Sequence, residues 1–560
     1  MSLHVRVNPL RAQEYRRKGY WGDASLYDYW RLASLTSPGK LAVKDCRGTG
    51  LSYEQVDQQA SRIASYLLSR GVQPGDIVSV QLPNWSEYLC VDVACLKIGA
   101  VINPVLTNHR SAELRHILTL CGSKVLFMAT HFRSTSYGEL ASQMMSEFPS
   151  LEVVVMLENC GVTSGTLPSL GQVLEESAPL AEDACTPGCA TDVVAVLFTS
   201  GSEARPKGVL LSHNNVIAGE RSFAYEMGIG FNDRMFMPAP LAHATGYLHG
   251  MTMPFMVGGT SILLDVFRGD AALAMIKEER CTCAYATASV VSDILDACVG
   301  PESLSPTLRF LCCGGSPLPR LLLHRAAAHG LRLYNVYGST ESAPHMLTTV
   351  ADSEDRVLNT DGRPALGVEV KVVDPVSRNR VLVGVQGEEA SRGPGVFLGY
   401  LGEPELTAAV LDRDGWYYSG DLCVMDNDGY VRITGRKTDV IIRGGENISA
   451  TEVESIILDY PGVRAVAVVA MPNERMGECA CAYLVMDSGA PDIDLKSLRD
   501  FFVERGVANY KIPERLEIVD ALPMTPSGKV RRVELKQRIA AKVEAAASPE
   551  LAPMVSGDQR

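Results

Sequence analysis

The sequence predicts an α/β protein in which a large N-terminal domain of layered α/β subdomains precedes a small C-terminal α+β domain. Three observations predict it. The chain has 560 residues, enough for three or four structural units at roughly 150 residues each. Amphipathic helical stretches recur, each followed by a turn and a short apolar run, the alternation that builds largely parallel sheets covered by helices. Near residues 430–450 that alternation gives way to a hairpin, a glycine turn and a compact set of strands and helices.

The elements follow in order. Residues 51–70 (LSYEQVDQQASRIASYLLSR) carry Val56, Ala60, Ile63, Ala64, Leu67 and Leu68 at helical spacing on one face. GVQPGD then turns the chain and IVSVQL reads as a strand. ELRHILTLCG with KVLFMA repeats the pair, and AALAMIKEER with CTCAYA repeats it again. Further on, GYVRITGR ends a hairpin, DVIIRGGENIS opens a new strand and glycine turn, and Ser449 and Glu452 have capping-box spacing ahead of a short helix. Strand VRAVAVVAM, strand CAYLVM, helix LKSLRDFFVERG, strand RLEIVD and a closing loop and helix from Pro526 complete the small domain. The expected boundaries are 1–437 for the large domain, 438–540 for the small one and 541–560 for a flexible tail, since the chain after about Ala540 is rich in Ala, Ser and Pro.

Composition narrows the function. Apolar residues at 46% and charged residues at 21% are globular values, which exclude a disordered or fibrous chain. With 52 basic against 65 acidic residues the formal charge is −13, which disfavours nucleic acid or an anionic membrane as the main partner. No run of about 18 uninterrupted apolar residues exists, so no bilayer-spanning helix is expected. The basic N-terminus lacks the apolar segment and cleavage site of a secretory signal. A cytoplasmic protein is expected. Most of the 15 cysteines sit in apolar runs and read as core residues. The spacings Cys281-x-Cys283, Cys479-x-Cys481 and Cys185-x3-Cys189 lack a paired CxxC array and nearby His partners, which argues against zinc.

Four segments concentrate the chemistry. The first, VVAVLFTSGSEARPKGVLL (Val193 to Leu211), runs a buried strand into Thr199-Ser200-Gly201-Ser202 and then Pro206-Lys207-Gly208. Glycine lets backbone N–H groups close on an oligoanion, hydroxyls donate to phosphate oxygens, and lysine adds a point charge. It is not a Walker A loop, because Lys207 follows Pro206, which has no N–H. The segment resembles the TSGTTGxPKG phosphate loop of the adenylate-forming superfamily of acyl-CoA synthetases, luciferases and peptide-synthetase adenylation domains. It departs from that loop at Ser202, Glu203 and Ala204, where an acidic group stands beside the polyphosphate and a glycine's freedom is lost.

The second segment, YNVYGSTESAPH (Tyr334 to His345), ends a strand in Gly338-Ser339-Thr340-Glu341. Glu341 is a hard oxygen ligand suited to Mg²⁺, Thr340 can donate to an α-phosphate, and Tyr337 offers a flat face to a purine. YGSTE matches the family's motif. In the third, WYYSGDLCVMDNDGYVRITGRKTDVIIRGGEN, Asp421 can accept from both ribose hydroxyls and Arg436 adds a fork of donors near ribose or phosphate. The fourth, PMTPSGKVRR, carries Lys529 in a Ser-Gly turn. The resemblance makes Lys529 the catalytic lysine, Thr438 the hinge, and Arg443, Gly444, Gly445 and Glu446 the turn lining the CoA tunnel. It also assigns Gly314, Gly315, Ser316 and Asn335 to the nucleotide. A flexible ammonium suits a charge needed in only one half-reaction.

The resemblance implies an acyl-CoA synthetase-like fold with a mobile C-terminal domain. It implies attack of a carboxylate on the α-phosphorus of MgATP, release of pyrophosphate, domain rotation, and thiol attack on the acyl adenylate with AMP leaving. In MPAPLAHATGYLHGMTMPF (237–255), His243 takes the position the family uses near the acyl entrance. Ala244, Thr245 and Gly246 are small and leave room for an apolar chain or ring, and Tyr247 joins that group. No basic residue lies among Leu241 to Gly250 to pair with an α-carboxylate, and no Asp stands there to hold an α-amine, so amino acids are disfavoured. WGDASL, ACLKIGAV, APLAHATGYLHG, EEASRGPGVFLGY and TGRKTDVIIRGGENIS extend the likeness nearly end to end, most closely to short- and medium-chain fatty acyl-CoA synthetases and cyclohexanecarboxylate–CoA ligases. The implied partners are a small carboxylic acid, ATP, Mg²⁺ and coenzyme A; the sequence leaves the oligomeric state open, with a homodimer as one option. Two alternatives stay open: transfer to a carrier-protein phosphopantetheine, and a non-catalytic nucleotide-binding protein.

Overall fold

The computed structural model describes residues 7–158, 167–199, 206–298, 304–315, 318–443, 446–473, 475–487, 489–491, 493–505, 507–525 and 528–547. The chain divides into two compact units, Met1–Ser419 with Cys423–Ile433, and Gly420–Leu422 with Thr434–Arg560.

The first unit is built on two large twisted sheets. In one, the strands run in the order Arg363–Pro364, Ala343–Leu347, Leu333–Ser339, Phe310–Gly314, Cys283–Ala286, Arg234–Met237, Thr260–Leu263, Leu41–Asp45 and Gly50–Ser52. Its interior, from Leu333–Ser339 to Leu41–Asp45, is parallel, and antiparallel strands close both edges. The other runs Gly399–Tyr400, Lys207–Ser212, Val193–Thr199, Val101–Pro104, Ile77–Gln81, Val125–Met128 and Val153–Met156, parallel from Val193–Thr199 onward. Parallel strands need crossovers, and helices supply them. The three sequence-derived pairs appear as helix Tyr53–Ser69 with strand Ile77–Gln81, Ser111–Cys121 with Val125–Met128, and Gly269–Glu278 with Cys283–Ala286. Val56, Ala60, Ile63, Ala64 and Leu67 are all buried, as their spacing predicts. Most described cysteines, Cys90, Cys95, Cys312 and Cys313 among them, are core residues. No helix among the described residues is long and apolar enough to cross a membrane.

The second unit centres on the antiparallel pair Val463–Asn473 and Gly477–Met486; the free edge of Gly477–Met486 takes Arg515–Ile518 in parallel and, at its N-terminal end, the hairpin Val440–Arg443/Glu446–Ser449. From Ala465 to Met471 the first of these strands is continuously apolar because both faces are covered. Val466 and Val468 pack with Leu484, Leu498 and Phe502, while Ala467 and Val469 pack with Tyr483, Leu535 and Ile539. Ser449 caps helix Ala450–Leu458 by accepting from the Glu452 N–H. The closing helix, Arg532–Ala547, corrects the expected start of a flexible tail at residue 541. Leu535, Ile539 and Val543 put an apolar residue on the covered face every fourth position, and alanine is the strongest helix former.

Candidate active site

The hairpin of Val193–Thr199 and Lys207–Ser212 sets Thr199 directly opposite Lys207. Ser200, Gly201 and Ser202 lie outside the described residues. Gly208 is tightly packed: a Cβ there would stand 3.0 Å from Val196 and 3.3 Å from Leu401. The Leu401 N–H bonds the Gly208 carbonyl at 2.7 Å, and strand Gly399–Tyr400 pairs with the same strand. This brings Tyr400 beside the hairpin, with the Lys207 ammonium 5.5 Å from the centre of its ring.

Glu341 meets the same tyrosine. The Tyr400 hydroxyl donates to Glu341 Oε1 at 2.8 Å, and the Phe397 N–H bonds the Glu341 carbonyl at 2.7 Å. Both side chains are buried. Tyr400 therefore joins the lysine of the first segment to the carboxylate of the second. Sequence reasoning quoted GVFLGY without giving Tyr400 a task; the only signal was its place at the end of that stretch.

The turn carrying Thr340 and Glu341 is sterically tight. A Cβ on Gly338 would lie 2.3 Å from the Ala343 carbonyl oxygen, and Ala343 itself adopts φ +57°. Thr340 is half-buried and Tyr337 lies edge-on to His345, with centroids 5.0 Å apart. Gly314 ends its strand against Tyr285, whose hydroxyl would be 2.1 Å from any added Cβ, and Gly315 takes φ +84°. Ser316 lies outside the described residues. The Asn335 amide nitrogen donates to the Val357 and Thr360 carbonyls at 3.1 and 2.8 Å. Among the described residues no group of three or more His, Cys, Asp and Glu side chains could cage a metal ion.

In the acyl segment, His243 Nδ1 accepts from the Thr245 N–H at 3.3 Å, which fixes the ring's orientation. The chain then enters a π-helix, Gly246–Thr252, a geometry frequent at functional sites. Ala244 is buried. Gly246 corrects the expectation that its smallness leaves room for substrate. A Cβ there would stand 2.1 Å from the Pro240 carbonyl oxygen, so backbone already occupies that space. Tyr247 is fully buried and its hydroxyl donates to Asp92 Oδ1 at 3.3 Å. Burial pushes the Asp92 carboxyl up to about 7, against the opposing pull of that hydrogen bond. On the following turn, His249 Nδ1 lies 2.8 Å from Glu220 and its ring stacks on Tyr285 at 4.6 Å. Neither pair was legible in sequence.

In the second unit, Arg436 Nε and Asp421 Oδ1 form an ion pair at 2.8 Å, so these two predicted residues do come together. Thr438 lies in the single turn Lys437–Asp439, and its carbonyl accepts from the Lys536 ammonium at 3.4 Å. Arg443 pairs with Glu514, and Glu446 stands opposite it in the hairpin register. Gly444 and Gly445 lie outside the described residues. Lys529 sits in a loop closed by a bridge between Met524 and Val530; its N–H bonds Thr525 Oγ1 at 3.0 Å. Three residues on, Arg532 grips Glu454 through two contacts of 2.7 and 2.6 Å, which anchors the loop's C-terminal end to helix Ala450–Leu458.

The model of the AMP-binding enzyme family matches residues 31–401, and that of the AMP-binding enzyme C-terminal domain matches residues 452–529. The medium-chain fatty-acid–CoA ligase of Escherichia coli (strain K12) is 43% identical over 539 residues, covering 96% of this chain and 94% of that protein. Enterobactin synthase component E of the same strain is 30% identical over 542 residues, covering 95% and 98%. Among solved structures, ATP-bound MatB from Rhodopseudomonas palustris superposes with a TM-score of 0.83 at 27% identity, covering 92% of this chain and 99% of that one.

Proposed function

Because the chain belongs to the AMP-binding enzyme family, we propose that it activates an apolar carboxylic acid of medium length with ATP and transfers the acyl group to the thiol of CoA. A carboxylate oxygen attacks the α-phosphorus, pyrophosphate leaves, and the CoA sulfur then displaces AMP from the acyl carbonyl. The observation that carries this reading is the meeting of Lys207 and Glu341 at Tyr400, which gathers a phosphate-binding cation and a hard carboxylate at one point.

The chain's own residues divide the work. Thr199 and Lys207, with Ser200, Gly201 and Ser202, hold the β- and γ-phosphates, and Thr340 donates to the α-phosphate. Tyr337 covers the purine beside Gly314, Gly315 and Ser316. Asp421 binds the ribose hydroxyls, and Arg436 donates to ribose or phosphate. Lys529, carried by the small domain 438–540, neutralises charge as the adenylate forms, and Thr438 is the pivot that lets the Arg443–Glu446 turn serve the second step. His243 stands at the acyl entrance. The buried Glu341 carboxylate suits Mg²⁺, which keeps waters and binds through one or two carboxylates plus phosphate oxygens. Glu341 would hold it, and the ion would supply charge neutralisation at the phosphates. Use of ATP and CoA makes a cytoplasmic location part of this proposal.

The test is exchange of labelled pyrophosphate into ATP, without CoA, across straight-chain, alicyclic and aromatic acids. Exchange with apolar acids of medium length supports the reading; none with any acid overturns it. The likeness to enterobactin synthase component E favours, as a second reading, transfer to a carrier-protein phosphopantetheine. Comparing CoA with a loaded carrier as acceptor decides between them.

A further inference from the structure

We infer that His345 and Glu389 form a buried positioning pair for the Gly338–Glu341 turn, acting on it through Ser342 and Ser339. The inference rests on the proposed role of that turn in adenylate formation. His345 lies on strand Ala343–Leu347 and Glu389 on strand Gly387–Arg392, and both are buried. Their Nε2 and Oε1 atoms are 3.4 Å apart. Among the described residues neither oxygen of Glu389, nor His345 Nε2, nor Ser391 Oγ has a hydrogen-bond partner. A carboxylate enclosed this way is among the costliest groups a fold can hold, and an apolar pair of similar volume would be as stable or more so. Its presence points to a task.

The other edge of the imidazole shows the task. His345 Nδ1 is 2.8 Å from Ser342 Oγ and 3.2 Å from the Ala343 carbonyl oxygen. A carbonyl only accepts, so Nδ1 carries a hydrogen, and Ser342 Oγ accepts from it. The Ser342 hydroxyl hydrogen is then directed to Ser339 Oγ, 3.0 Å away. Ser339 keeps its own hydrogen to donate onward. The donor direction therefore runs from His345 through Ser342 to Ser339, and the two serines bracket Thr340 and Glu341. The same imidazole supports Tyr337 edge-on, at 5.0 Å. One buried pair thus sets the hydrogen-bond polarity of the turn and backs the aromatic face beside it.

The experiment compares Ser342→Ala, His345→Gln and Glu389→Gln in acid-dependent pyrophosphate–ATP exchange, with a thermal melt on each. Ser342→Ala removes only a hydroxyl, so it keeps the test open should a buried-pair variant fold poorly. The expected result is a loss of about 10- to 100-fold in exchange kcat with KM for the acid unchanged, the size typical of losing a group that orients a ligand-binding residue. Ser342→Ala combined with His345→Gln should be no worse than the poorer single variant, because both break one chain of contacts. Retention of kcat within about twofold by folded Ser342→Ala and His345→Gln would overturn the inference, whatever happens to their melting temperatures. Glu341→Gln, run in parallel, separates the layers: if it too retains exchange, the reading of the turn fails, whereas if it alone loses exchange, only the positioning pair does.

Discussion

Replacing Tyr400 with Phe deletes one oxygen and leaves nearly everything else in place. The ring stays against Phe397, with centroids 5.0 Å apart, and beside the Lys207 ammonium at 5.5 Å. The backbone N–H still bonds Thr407 Oγ1 at 2.9 Å. What disappears is the 2.8 Å hydrogen bond to Glu341 Oε1. Hydrogen bonds to charged groups contribute about 1.5–3 kcal/mol, and tenfold corresponds to about 1.4 kcal/mol, so the orientation lost is worth roughly 10- to 150-fold. If Glu341 serves the nucleotide's cation, that factor should appear as a higher half-saturating Mg²⁺ concentration, a lower exchange rate, or a product of the two. The assay is acid-dependent pyrophosphate–ATP exchange titrated with free Mg²⁺ at fixed ATP, on protein whose circular dichroism matches the parent. An unchanged Mg²⁺ titration and rate in folded Tyr400→Phe would refute the chain of reasoning from geometry to function.

Further predictions follow from other parts of the molecule. Lys529→Ala should abolish adenylate formation while a preformed acyl adenylate still reacts with CoA; equal loss in both half-reactions, measured separately, would sink that division. Thr438→Pro should slow thioester formation and spare pyrophosphate exchange, because proline stiffens the backbone at the proposed pivot; undiminished CoA transfer counts against the pivot. Asp92→Asn should be stabilising, and more so at higher pH. Burial raises the Asp92 carboxyl from the ordinary 3.8 to about 7, so the native state binds the extra proton, and stability falls as pH rises through that range. Asparagine keeps a hydrogen-bond acceptor for Tyr247 without the charge, so the gain near pH 8 should approach roughly 4 kcal/mol as an upper bound and shrink toward pH 5. Melts at both pH values test it, and a gain independent of pH would show that Asp92 is not the titrating group.

Helical periodicity was enough to place Tyr53–Ser69 and its buried face, because the pattern that makes an amphipathic helix is complete within a few turns. The glycine turns were legible for a similar reason, and the structure adds the physical need: Gly338 and Gly314 have no room for a Cβ. The misreadings came where composition stood in for packing. Ala-rich residues past 540 suggested a loose tail, yet the helix runs to Ala547 on the apolar face begun by Leu535 and Ile539. Gly246 suggested space for a ligand, yet the Pro240 carbonyl fills it.

By itself the sequence determined the elements, their alternation and the types of side chain that could meet a polyphosphate, since each of these depends on residues a few positions apart. Only the tertiary structure decided that Tyr400 bonds Glu341 across 59 positions, that Tyr247 reaches Asp92 across 155, and that His345 faces Glu389. Such contacts arise where separate strands and helices pack, and the packing is set by how the whole core closes. No local pattern encodes it, so these residues became visible only once the sheets were assembled.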